Sequence, residues 1–196
     1  MRRRIVPAAL AAPLLVLALG TAFPAGVHAG PSGCTITGTP GHDVLTGTSG
    51  ADVICGRGGP DTIRGLGGPD VLLGGPGRDN LDGGGGADSL SGGTGSDIVI
   101  GGDGNDTLNG GDDADLVNGA RGDDAVFGGA GPDIVTGIIG DDLMSGGPGN
   151  ETCIDGVDGV HGNDVIVGGT GIDHFTADTG DARIGAEDLT VNCIDE

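Results

Sequence analysis

The sequence predicts an all-β fold, a parallel β-roll: a two-sheet β-helix solenoid built from nonapeptide repeats. Three observations predict it. Gly38 to Ile154 divides without remainder into thirteen nine-residue units, each opening with Gly. The sixth position of every unit is an acid, Asp in twelve and Glu151 in the thirteenth. The eighth position is apolar throughout, from Leu45 and Ile54 to Met144 and Cys153, and continues in two later units as Ile166 and Phe175. A period this strict sets the architecture before any local propensity is weighed.

In chain order, the first element is a leader. Arg2, Arg3 and Arg4 precede a run from Ile5 to Gly20 that is apolar apart from Pro7 and Pro13, and Val27-His28-Ala29 has the small-x-small form of a cleavage site. This reads as a secretory signal peptide over residues 1–29. A membrane anchor fits less well, because the run is shorter than the ~20 residues of a span and is broken by Pro. The protein is therefore expected outside the cell, secreted, with no membrane contact once the leader is removed. Residues 30–37 are expected to cap the N-terminal end, with Ile36 and Cys34 closing the core. The roll covers 38–176, interrupted at 155–158, with its last two units at Gly159–Val167 and Gly168–Thr176. Residues 177–196 leave the repeat. Ile184, Leu189, Val191 and Ile194 there are expected to cover the open end, as a solenoid requires.

Within one unit, such as Gly92–Ile100, the glycines Gly92, Gly93 and Gly95 permit positive φ and so make a tight turn. Its carbonyls and amides can face inward to an ion. Asp97 ends the turn, and Ile98-Val99-Ile100 forms a three-residue strand with Val99 on one face and its neighbours on the other. Residues flanking the eighth position are mixed: Thr62 and Arg64 about Ile63, Asn80 and Asp82 about Leu81. One face is thus buried and the other meets solvent. So short a strand needs neighbours. Two units make a coil of 18 residues. Odd units stack as one parallel sheet and even units as the other, with the eighth positions meeting between them. At ~4.8 Å per coil, the thirteen contiguous units make a prism roughly 31 Å long.

Stacking sets the acids above one another. One ladder reads Asp43, Asp61, Asp79, Asp97, Asp115 and Asp133. The other reads Asp52, Asp70, Asp88, Asp106, Asp124 and Asp142, and the later units add Asp164 and Asp173. Carboxylates at strand spacing repel one another, and the sequence contains no Lys to pair them. Something positive must sit between the rungs. Carboxylate and carbonyl oxygens are hard ligands that select Ca²⁺, whereas Mg²⁺ demands stricter octahedral geometry and keeps its waters. The core is thin and the ladders oppose compaction, so folding is expected to be coupled to calcium.

Without the leader, 29 acids face 5 arginines, a formal net charge of −24. Nucleic acid is excluded as a partner, since its phosphates need the opposite sign. Strong acidity with few aromatics can signal disorder. A disordered spacer, however, has no need to hold Asp and an aliphatic residue at fixed offsets.

Four cysteines behind a secretory leader are expected to form two disulfides. Cys34 and Cys55 lie at the start of the repeats, Cys153 and Cys193 near and beyond their end. Of the three connectivities, one bridge at each end is the expected one. Cys153, at an apolar repeat position, also suits a free buried thiol. No C-x-x-C or Cys/His zinc spacing occurs.

The unit G-G-x-G-x-D-x-U-x, with U a large apolar residue, resembles the RTX (repeats-in-toxin) nonapeptide, the hemolysin-type calcium-binding repeat, whose established reading is a calcium-binding parallel β-helix. The resemblance runs from Gly38 to Thr176, and the strict form G-G-x-G-x-D opens at Gly74, Gly83, Gly92, Gly101, Gly128 and Gly168. It implies several Ca²⁺ ions in the turns, held by sixth-position Asp residues one coil apart and by turn carbonyls. Asp79, Asp88, Asp97 and Asp106 are the clearest ligands on this reading. Thr39, Thr48, Arg57, Leu66, Ala120, Ile138 and Val160 replace the second Gly, and Asp113 replaces the fourth.

The expected function is a secreted calcium-binding roll with a structural or ion-responsive role. The alternative is a calcium-dependent adhesion or carbohydrate-binding module that offers one sheet face to a cell-surface or glycan partner. Only Phe127 supplies an outward aromatic for it. Ice binding through a flat Thr array conflicts with outward positions as mixed as Thr46, Arg64, Asp82 and Ile100. An enzyme is the least supported class, and no catalytic residue is expected. His42, His161 and His174 fall at different repeat positions, and Ser91 and Ser145 lack an elbow or oxyanion motif. The sequons at Asn105 and Asn150 read as chance matches.

Overall fold

A computed structural model describes residues 33–150, 153–155, 163–171, 174–176 and 182–184. In chain order its strands are β1 (Ile36–Thr37), β2 (Val44–Thr46), β3 (Val53–Cys55), β4 (Thr62–Gly67), β5 (Val71–Pro76) and β6 (Asn80–Gly85). Next come β7 (Ser89–Thr94), β8 (Ile98–Asp103), β9 (Thr107–Asp112), β10 (Leu116–Arg121), β11 (Ala125–Ala130) and β12 (Ile134–Ile139). The last are β13 (Leu143–Pro148), β14 (Cys153–Asp155), β15 (Val165–Thr170), β16 (Phe175–Thr176) and β17 (Ala182–Ile184). Among the described residues there is no helix.

The odd-numbered strands form a nine-stranded sheet and the even-numbered strands an eight-stranded one, each in chain order. Neighbours pair in parallel one coil apart, as Leu81 with Val99 and Leu90 with Leu108. This is the two-sheet roll that the nine-residue period predicts. Eighth-position side chains from Ile54 to Met144, and again Ile166, are buried in a single core between the sheets. Ile36 and Leu45 pack against its first layer, partly buried.

Three sequence expectations are corrected. Strands are longer than three residues: from β4 to β13 each runs six, through positions seven to nine and on into the first three of the next unit. Alternation then turns two residues inward per strand, Val99 and Gly101 in β8. The first glycine of the unit is therefore a strand residue facing the interior. Positive φ belongs to the second and fourth positions, as Gly93 at 117° and Gly95 at 111°, and not to Gly92.

The third correction concerns Cys153. By count it takes the eighth position, opposite Val135. In the structure Val135 pairs with Ile154, and Ile154 with Phe175. The reason lies in the four-residue interruption. One extra residue enters before β14 and the rest after it, while β13 still meets β15 with Met144 opposite Ile166. The pairing is thus slipped by one residue, and Ile154 rather than Cys153 stands opposite Val135 in register. The last strand, β17, extends the odd sheet by pairing with β15, Val167 opposite Ile184. The leader, Glu151, Asp173, His161, Cys193 and most of the expected C-terminal cap lie outside the described residues.

Candidate metal centre

Each sixth-position Asp stands between a glycine turn and a strand, at an edge of the roll. Asp52, Asp61, Asp70, Asp79, Asp88, Asp97, Asp106, Asp115, Asp124, Asp133, Asp142 and Asp164 are all buried. Asp43, in the first unit, is half-buried.

The two carboxylate oxygens have different roles. Oδ1 is tied to the backbone. The amide of Asp61 donates to Oδ1 of Asp79 at 2.7 Å, that of Asp79 to Asp97 at 2.8 Å, and that of Asp115 to Asp133 at 2.9 Å. On the other edge Asp52, Asp70, Asp88 and Asp106 each donate to the next rung at 2.8 Å. The series crosses the interruption, since the Asp142 amide reaches Oδ1 of Asp164 at 2.8 Å. Charge-assisted hydrogen bonds of this kind fix each side chain in one orientation.

Oδ2 is the oxygen left over. In Asp61, Asp70, Asp79, Asp88, Asp97, Asp106, Asp115, Asp124 and Asp133 it is buried with no hydrogen-bond partner. A buried, unpaired carboxylate oxygen is costly, and a native fold retains it only with a compensating partner. The surroundings say what kind. A β-carbon built on Gly92 would stand 2.4 Å from Asp97 Oδ2 and 2.5 Å from the Gly110 carbonyl oxygen of the next coil. The same pair of oxygens borders Gly74 (Asp79 Oδ2 and the Gly92 carbonyl), Gly83 (Asp88 and Gly101) and Gly101 (Asp106 and Gly119). The missing side chain of the first glycine thus leaves a carboxylate oxygen and a carbonyl oxygen facing one space. Both are hard donors, and the set fits Ca²⁺. Among the described residues no three His, Cys, Asp or Glu side chains gather at one point. Carbonyls must therefore supply much of any coordination shell here.

Electrostatics point the same way. Burial raises the carboxyls of Asp88 and Asp97 to about 6 and those of Asp115 and Asp124 to about 7. The amide donated from the coil below lowers them in part, and the neighbouring rungs raise them again. Asp61, Asp70, Asp79, Asp106 and Asp133 are raised as well, chiefly by burial. Asp52 is shifted the other way. The Thr48 amide and then its hydroxyl, bonded to this carboxylate, lower it.

The structure brings the predicted residues from Asp43 to Asp142, and Asp164, together as two hydrogen-bonded ladders, while Asp173 lies outside the described residues. It joins Cys34 to Cys55, with their Cα atoms 6.0 Å apart. The expected partner of Cys153 lies outside the described residues. Sequence reasoning missed the inward first glycine and the division of labour between Oδ1 and Oδ2. A signal for the glycine existed: positions eight and one are two residues apart, the spacing that puts both on one face of a strand.

A family model for the RTX calcium-binding nonapeptide repeat (4 copies) matches residues 35–63, 56–90, 91–126, 119–152 and 158–181. A search of curated proteins finds no match.

Proposed function

Because the chain belongs to the RTX calcium-binding nonapeptide repeat family, we propose that it is a secreted calcium-binding roll whose folding is coupled to Ca²⁺. The observation that carries this reading is the run of nine buried Oδ2 atoms without a partner, Asp61 to Asp133. These nine residues are the proposed ligands, and beside eight of them, all but Asp124, a carbonyl oxygen of the inward glycine column borders the same space. Asp142 and Asp164 continue the same ladder and are assigned the same role.

Bound calcium supplies the positive charge that the ladder lacks. The chain's own contribution is orientation. Each Oδ1 is held by the amide of the coil below, so in the folded roll Oδ2 is presented in one direction. The glycine column keeps side chains out of the space that Oδ2 and the carbonyl share. With calcium absent, each coil adds buried carboxylates and only two core side chains, a balance that opposes folding.

Circular dichroism of the purified chain in calcium and in EGTA tests the reading. Strand signal is expected in calcium and its loss in EGTA. Identical spectra in the two would overturn coupled folding, and calorimetry without a calcium-binding heat would overturn the binding itself.

A further inference from the structure

The turns of the first coil are built differently from those above them. We propose that this coil takes no calcium: its threonines close its carboxylates, and the calcium series begins at Asp61 and Asp70. The proposal rests on the calcium reading of the ladders and says where along the chain that reading starts.

In the first unit, Oδ2 of Asp43 accepts the Thr39 amide at 2.6 Å and the Thr39 hydroxyl at 2.9 Å. In the second, Oδ2 of Asp52 accepts the Thr48 amide at 2.7 Å and the Thr48 hydroxyl at 2.9 Å. This is the same oxygen that has no partner from Asp61 to Asp133. An N–H and an O–H donor thus give this oxygen the positive partners that it lacks in the coils above, and a metal would compete with both bonds.

Loss of the second glycine does not by itself produce this closure. Arg57, Leu66 and Ala120 occupy the same repeat position, and all three hold the left-handed conformation, with φ of 83°, 82° and 81°. Their partner carboxylates Asp61, Asp70 and Asp124 still have an unpaired Oδ2. Thr39 and Thr48 are not left-handed, and neither are the fourth-position glycines Gly41 and Gly50 that follow them. Directly above, Gly59 and Gly68 are, at 87° and 88°. Each threonine hydroxyl instead accepts the amide two residues on, from Gly41 and Gly50 at 3.2 Å. The threonine therefore selects a different turn, one that satisfies its own Asp.

A coil without a cation needs another tie. The Cys34–Cys55 bridge supplies it, joining the residues that lead into β1 to the end of β3 across 21 positions of sequence. Thr35 adds a hydroxyl bond to the Val53 carbonyl at 3.1 Å. The β1 end of the solenoid is thus held by a covalent bond and side-chain hydrogen bonds.

Native mass spectrometry of the purified chain, bridge intact and calcium saturating, tests this by counting ions. Asp52→Asn is expected to bind as many ions as the wild type, and Asp88→Asn at least one fewer. Thr39→Gly/Thr48→Gly, which keeps every carboxylate and restores the repeat's glycines, is expected to bind one or two more. That variant decides the matter even where Asp52→Asn unfolds. An Asp52→Asn count reduced as far as that of Asp88→Asn would overturn the proposal, as would an unchanged count in the double variant. A wild type that binds no calcium would overturn the calcium reading together with this one, and is distinguished by its own count of zero.

Discussion

The amide of Asp97 donates to Oδ1 of Asp115, one coil away, at 2.8 Å. That bond spends one oxygen of the carboxylate on the backbone and leaves the other, Oδ2, buried without a partner. Repeated along both edges, it makes the roll a stack of oriented and unneutralised acids.

The first consequence is a dependence on pH. Asp88 and Asp97 rise to about 6, and Asp115 and Asp124 to about 7, from an ordinary value of 3.8. A carboxyl raised by folding holds its proton more tightly in the folded chain. Its stabilising contribution is full below 3.8 and is lost as pH rises through 6 to 7. In EGTA, strand signal is therefore expected to grow as pH falls from about 8 to about 4. Protons also compete with calcium, so the calcium midpoint should move to higher concentration at the acid end. A calcium-free spectrum that does not change over this range would contradict the first statement, and a calcium midpoint that does not move would contradict the second.

The inward glycine makes a second prediction. At Gly92 an added methyl would meet Asp97 Oδ2 at 2.4 Å and the Gly110 carbonyl at 2.5 Å, one of them backbone. Gly92→Ala is expected to destabilise the calcium-loaded roll by about 1–3 kcal/mol, the usual range for overpacking. Thr94→Ala, at an exposed position of the same strand, should stay within about 0.5 kcal/mol. Denaturant unfolding in calcium measures both. Equal stability of the two variants would remove the first glycine from the site.

A third prediction concerns stored strain. Ile138 has φ of 83°, a conformation that is poor for a β-branched residue, and its side chain is 39 % exposed. Ile138→Gly relieves the backbone, and that gain is opposed in part by the buried portion of the side chain. It is expected to stabilise the roll by roughly 1 kcal/mol, read as a higher melting temperature in calcium. A lower melting temperature would mean that the Ile138 side chain contributes packing that its exposure does not suggest.

Legibility along the chain follows the repeat. Leu81, Val99 and Val117 could be assigned to one core column from spacing alone, because within the uninterrupted units two residues 18 apart occupy equivalent places in successive coils. The Asp ladders followed by the same argument. The count puts Cys153 at the eighth position and the pairing moves it by one, since the interruption at 155–158 can be divided between the two sides of β14 in several ways that leave the count unchanged. Thr39 and Thr48 read as simple departures from the repeat, no different from Arg57 or Leu66. Their distinction is a hydrogen bond from a hydroxyl four residues before the Asp, and that depends on backbone dihedrals.

The sequence by itself determined the period, the two-sheet roll, the core column and the stacking of the acids. All four follow from translation symmetry, which one dimension already contains. Tertiary structure decided which carboxylate oxygen is left without a partner, which glycine makes room beside it, and where β14 sits in register. These depend on contacts between coils and on the direction of individual backbone groups. Spacing along the chain does not specify either.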